Sequence, residues 1–163
     1  MGRKTGKDCK MYYLSTGTRA TWSATTTDGV EVGPAPSNLT EMSSVANVSL
    51  NTSRDESEVG ARGSAYKQYA AGRIDVSVEF DIPDITSDAS FLAVQKAYLT
   101  AATIAIAVLD GSSATVGVMG LWADFEVVKF ERAEQLDEGV RYSVTLRPAY
   151  AAVPPEWVKV AAS

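Results

Sequence analysis

The chain has 163 residues, 45% of them apolar and 21% charged, which is the length and composition of one globular domain with a buried core and excludes wholesale disorder. A net charge of -5 and a pI near 4.8 argue against affinity for a phosphate backbone, which depends on cationic neutralisation. There is no histidine and one cysteine, Cys9, so the commonest general base, the zinc and iron-sulfur ligand sets and any intrachain disulfide are all excluded.

Residues 1–44 read as an N-terminal strand followed by an extended arm or loop. Arg3, Lys4, Lys7 and Lys10 form the only basic run, which reads as a solvated tail. Met11 to Leu14 is too short for the apolar core of a signal peptide, so synthesis in the cytoplasm without export by that route is expected. Lys10 to Thr16 fits a strand. Gly17 to Met42 is rich in Thr, Ser, Gly and Pro, with Asp28-Gly29 and Pro34-Ala35-Pro36 as turn signals, and reads as an extended arm or long loop.

Residues 45–150 carry the expected core. Val45 to Ser53 is a weak strand with Val48 and Leu50 inward, and Ser53 to Gly72 is long for a connection in a small β domain. The alternating charges and two tyrosines of that connection, Tyr66 and Tyr69, favour a contact surface over a plain linker. From Ile74 to Ile82 apolar and polar residues alternate without a break, which is a strand with one buried face. A helix over about 88–100 follows, capped by Ser87 or Asp88, with Phe91, Val94 and Tyr98 on one face and Leu92 and Leu99 beside them.

Ile104, Ile106 and Val108 make a further strand, ended by Asp110-Gly111. The apolar stretch containing it, Leu99 to Leu109, is shorter than a membrane span, so no membrane anchor is expected. Leu121, Ala123, Phe125 and Val127 alternate until the phase slips at Val127-Val128, which predicts a β-bulge. Val140 to Leu146 alternate again, Pro148 closes that strand, and residues 151–163 form a C-terminal tail. Short turns between most strands predict a mainly β fold: an antiparallel β-sandwich or barrel with one flanking α-helix, a long loop and an extended N-terminal arm.

Catalytic signals are weak, and neither an enzyme nor a cofactor is expected. The GRKTGK run at Gly2 to Lys7 is one residue short of a P-loop between its glycines and lacks a preceding strand. Asp81, Asp84 and Asp88 are the best carboxylates for magnesium or calcium, yet Pro83 and a helix start give them simpler roles. Glu79 and Glu126 form a nominal glycosidase pair, but both occupy polar positions of alternating strands, where Arg141 and Arg147 balance them on a solvated face.

Several segments, read in order, resemble the major tail tube protein of long-tailed (siphovirus-type) bacteriophages. NVSLNTSRDE at Asn47 to Glu56, the Arg62-Gly63 pair, and Tyr66 to Phe80 are similar to the family's strand, charged loop and strand. YSVTLRPAY at Tyr142 to Tyr150 and PEWVKV at Pro155 to Val160 resemble its last strand and tail. The resemblance implies a virion protein that polymerises with itself into stacked rings, usually six-fold, forming a hollow tube that DNA crosses without specific binding. Tape-measure and tail terminator proteins are the further partners it implies. Long loop and arms reach neighbouring subunits in such families, which makes Arg54, Asp55, Glu56, Glu58, Arg62, Tyr66 and Tyr69 the expected subunit interface, and Trp122, an aromatic on the polar phase of its strand, is expected to join it. Asp75, Glu79, Asp81, Asp124 and Glu126 are the expected lumen lining, where fixed negative charge repels DNA and lets it slide.

Two other readings compete. A monomeric β-sandwich binding module, for carbohydrate as an instance, would expose Trp22, Trp122 or Trp157 as a stacking platform. The tube protein of a contractile secretion system would share the architecture.

Overall fold

The computed structural model describes residues 9–22, 25–60, 63, 65–84, 87–134 and 139–162. Its elements are β1 (Lys10–Leu14), β2 (Thr25–Thr27), β3 (Val30–Gly33), β4 (Leu39–Glu41), β5 (Ala46–Glu58), β6 (Tyr69–Pro83), α1 (Ala89–Leu99), β7 (Thr103–Leu109), β8 (Met119–Ala133), β9 (Arg141–Pro148) and β10 (Glu156–Val160).

Strand β8 organises the sheet because it is long enough to serve two neighbours on one edge. Gly120 to Glu126 pair with β7 along one side, while on the other Met119 to Trp122 pair with β10 and Phe125 to Ala133 pair with β9. The sheet therefore forks, with one limb running β9-β6-β5 and the other β10-β3-β2, and β7 leads on to β1 and β4. All pairings are antiparallel except β10 with β3, so the sheet is mixed. It does not close on itself, which selects the sandwich over the barrel.

The predicted bulge is present. Register between β8 and β9 slips between Val127 and Lys129, leaving Val128 as the extra, exposed residue and returning Phe130 to the inner face. A first core fills the space between the inner faces of β6 and β9 and those of β1, β7 and β8. Val78, Phe80, Ile82, Ile106, Phe125 and Leu146 are all essentially inaccessible there. Each such side chain contributes about 1.5–3 kcal/mol of burial.

One end of this core is covered by α1. The Asp88 carboxylate caps the helix, accepting the Ser90 N–H at 3.1 Å and the Ser44 hydroxyl. A step of about 100° per residue puts Phe91, Val94 and Ala97 together on the core side and turns Leu92 and Leu99 to solvent, correcting their expected place beside the buried face. The Phe91 ring lies 5.2 Å from that of Tyr142 and 6.2 Å from that of Phe130, tying helix to sheet.

The other face of the central strands is also buried, which the arm reading of Gly17 to Met42 did not anticipate. Residues 15–22 and 34–39 lie across it, and β2, β3 and β4 all fall within that segment. Asp28 and Gly29 turn β2 into β3 with positive φ at both positions (53° and 79°), the two-residue hairpin their dipeptide predicts. Beneath lies a second core of Tyr12, Ala107, Leu109, Trp122, Val158 and Trp22, whose two indole rings meet edge to face at 5.7 Å.

Candidate assembly interface

The segment read as a long loop is mostly a β-ribbon. Strands β5 and β6 stay paired to Glu58 opposite Tyr69, and the Val59 N–H donates to the Gln68 carbonyl at 2.7 Å beyond that point. Arg54, Asp55, Glu56 and Glu58 thus lie on a strand, and register slips between Arg54 and Glu56, where Asp55 faces Gly72 and Arg73 in a bulge of β6. Within that bulge Gly72 approaches β5 so closely that a Cβ there would stand 2.8 Å from the Asp55 carbonyl oxygen, which is why glycine occupies it. Arg62 lies outside the described residues.

The outer part of this ribbon is open to solvent among the described residues. Every described residue from Asn51 to Ala71 is exposed, including Val59, Tyr66 (84%) and Tyr69 (57%), and Ile74 follows at 59% although its phase is that of the core. A two-stranded ribbon standing alone in water is marginally stable, and large apolar side chains left outside a core mark a contact surface. The outer edge of β5 adds a second unfilled requirement, since β6 is its only strand partner among the described residues.

The outer face of β6 and β9 is polar and open. Asp75 and Glu79 are exposed there, and Asp81 is half-buried, accepting from Asn47 Nδ2 at 3.0 Å and Ser143 Oγ at 3.2 Å. Glu126, opposite Arg147 on β9, is exposed on the same face. Arg147 reaches Asp75 at 3.5 Å, an exposed pair of small energetic weight. Glu79 and Glu126 stand on strands that flank opposite sides of β9, with β9 between them.

Two expected site residues are corrected. Trp122, placed on the polar phase of β8 and therefore expected outside, is 1% exposed and donates its Nε1–H to the Ala20 carbonyl at 3.0 Å. Asp124, expected in the acidic lining, is covered by the same segment and paired with Arg19. Both corrections have one cause: the face of β8 that is wet at Glu126 is roofed at Trp122 and Asp124 by residues 15–22. Trp22 is buried as well, so of the three tryptophans only Trp157 retains substantial exposure (38%).

The residue that fastens this roof is Arg19, which gave no signal in the sequence beyond a lone cation in a polar stretch. Its guanidinium is fully buried, donating through Nε to Asp124 Oδ2 at 2.9 Å and through Nη1 to Glu156 Oε1 at 3.2 Å. Nη2 donates to the Val153 and Pro154 carbonyls, the latter at 2.9 Å, and the plane lies 5.6 Å over the Trp122 ring. One side chain thereby joins the roof, β8 and the start of β10. Burial raises the Glu156 carboxyl above the usual range, with a smaller downward pull from the backbone N–H of Trp22 and then from Arg19.

These features define a β-sandwich whose core is filled but whose ribbon and β5 edge are left exposed among the described residues. Comparison with known proteins agrees at the level of fold. No family model and no curated protein matches the chain in sequence. Among solved structures, a chain of the SPP1 tail tube superposes with TM-score 0.69 at 13% identity, covering 96% of this chain and 80% of that one. A chain of the tail of an empty gene transfer agent particle, of C6 symmetry, gives 0.65 at 12% identity over 98% and 100%. One from the anti-feeding prophage baseplate gives 0.57 at 9% identity over 98% of each chain. The fold is that of tail tube proteins.

Proposed function

We propose that this chain is a structural subunit that polymerises into stacked rings forming the hollow tail tube of a phage-like virion, through which DNA is delivered. The observation that carries the reading is the unburied β5-β6 ribbon on a domain of tail-tube fold: an element whose apolar side chains acquire a packing surface only in an assembly. The better superposition on chains from two tails than on the baseplate chain favours a tail tube over the secretion-device alternative. Arg54, Asp55, Glu56, Glu58, Arg62, Tyr66 and Tyr69 form the subunit interface in this proposal, and Asp75, Glu79, Asp81 and Glu126 line the lumen. Trp122 and Asp124 are structural. The subunit is no enzyme, and the tape-measure and terminator proteins bind the finished tube.

Sedimentation velocity and light scattering at rising concentration test the self-assembly. Species growing in ring-sized steps are expected, and a monomer at every concentration, even with preformed tubes added as seeds, contradicts it. For the lining, reversing Glu79 and Glu126 to lysine is expected to leave tubes intact and slow DNA release from assembled particles. Unchanged release removes those residues from that role.

A further inference from the structure

Four strands stand side by side under the polar face, in the order β5-β6-β9-β8. The two in the middle pair without interruption from Val78 opposite Leu146 to Pro83 opposite Arg141. Each flanking strand carries one residue more than its neighbour at the same level. On β5, Asn47 and Val48 fit between Ala46 and Ser49, where β6 has Phe80 alone between Asp81 and Glu79. On β8, Val128 fits between Val127 and Lys129, whose partners Leu146 and Thr145 are consecutive on β9. Both extra residues fall within the three rows from Val78 to Phe80, about 7 Å of strand.

Neither extra residue serves the core. Val128 and Asn47 are both exposed. Asn47 holds a bend in the backbone instead, with a φ of 55° and Nδ2 donating across to Asp81 Oδ2 at 3.0 Å. A strand bends and twists more strongly at a bulge. With regular strands in the middle and a bend on each flank at one level, the sheet curves across its width, which is how bulges roll sheets toward barrels.

We propose that these two bulges set the curvature of the wall each subunit contributes, and through it the number of copies that close one ring. A ring closes only when every copy turns the wall by the same angle, so a bend fixed in the subunit fixes the count. The inference rests on the tube reading, with the face of Asp75, Glu79, Asp81 and Glu126 concave towards the channel, and assigns ring size to backbone features instead of contact residues. Both bulges can be removed without turning a side chain over. Deleting Val128 lets Lys129 follow Val127 as Thr145 precedes Leu146, and Phe130 stays inside. Deleting Asn47 leaves Val48 opposite Phe80 and Ser49 opposite Glu79.

The test deletes Asn47, Val128 or both from the full chain, with circular dichroism and thermal unfolding to verify the fold. Asn47→Val, which opposes a positive φ without shortening β5, replaces a deletion that fails to fold, and Asn47→Gly, which keeps the bulge, is the control. Curvature of the subunit is read as the electron spin resonance distance between nitroxides at Asn51→Cys and Glu131→Cys in a Cys9→Ser background, sites exposed on the polar face of the two flanking strands. The distance is expected to lengthen as the bulges are removed. Negative-stain microscopy of the double deletion is expected to show rings wider than the wild type or open ribbons, while Asn47→Gly keeps the wild-type diameter. An unchanged distance, or tubes of wild-type diameter from the folded double deletion, overturns the assignment to the bulges and leaves the tube reading standing. A longer distance in a protein that forms no ring or tube with or without the bulges overturns the tube reading and the ring-size assignment, and leaves the curvature itself established.

Discussion

Replacing Arg19 by alanine removes the cation paired with two carboxylates beneath the roof segment. Its side chain is inaccessible, and those of Asp124 and Glu156 retain only 15% and 9% of their exposure, so little solvent is at hand to replace it. Deleting one member of a buried ion network costs about 3–5 kcal/mol, because the remaining charges stay desolvated and unpaired. The Val153 and Pro154 carbonyls lose a donor at the same time. Against a total stability of about 5–15 kcal/mol this is a large fraction, and at about 2–4 °C per kcal/mol it lowers Tm by roughly 10 °C. Thermal and urea unfolding followed by far-UV circular dichroism, with Trp fluorescence reporting on Trp22 and Trp122, measures it. Arg19→Met combined with Asp124→Asn and Glu156→Gln should recover most of the loss, since all the charges leave together. A loss below about 1 kcal/mol for Arg19→Ala would refute the claim that this side chain fastens the roof.

Phe91→Ala empties the contact between α1 and the rings of Phe130 and Tyr142, and should cost about 3–5 kcal/mol with α1 losing protection from hydrogen exchange before the sheet does. Glu156 gives a pH signature. Its folded-state value is raised by burial, so the wild type binds the proton more tightly folded than unfolded, and the stability linked to this group is present below the ordinary glutamate range and lost as pH rises through the raised value. Glu156→Gln lacks that titration, and the Tm of the wild type relative to the variant is expected to climb as pH falls from neutral through that window. A difference independent of pH removes the burial argument.

What the sequence disclosed depended on whether an element has one wet face. β6 and β9 do over most of their length, and their alternation located them; the phase slip at Val127-Val128, the Asp88 cap and the Asp28-Gly29 turn were legible for equally local reasons. The ribbon was read as a loop because neither of its faces is buried in the subunit, which leaves charge, glycine and tyrosine where a strand would show a pattern. Ile74 continued the apolar phase of β6 past the end of the core, where it is left exposed. Trp122 and Asp124 were misplaced because alternation assumes the second face meets water. The counter-signal lay next door in Ile104 to Leu109, apolar on both phases with small Ala105 and Ala107 beneath the roof, the pattern of a strand buried on two sides. Arg19 showed nothing, since its partners come from residues more than a hundred positions away.

Self-assembly into a hollow tube is the central claim, and negative-stain electron microscopy of the purified full-length protein at rising concentration tests it most directly. Stacked rings or tubes of one constant outer diameter with a stain-filled channel are the predicted result. A population that remains compact single subunits at the highest concentration, with or without tube fragments as seeds, contradicts it.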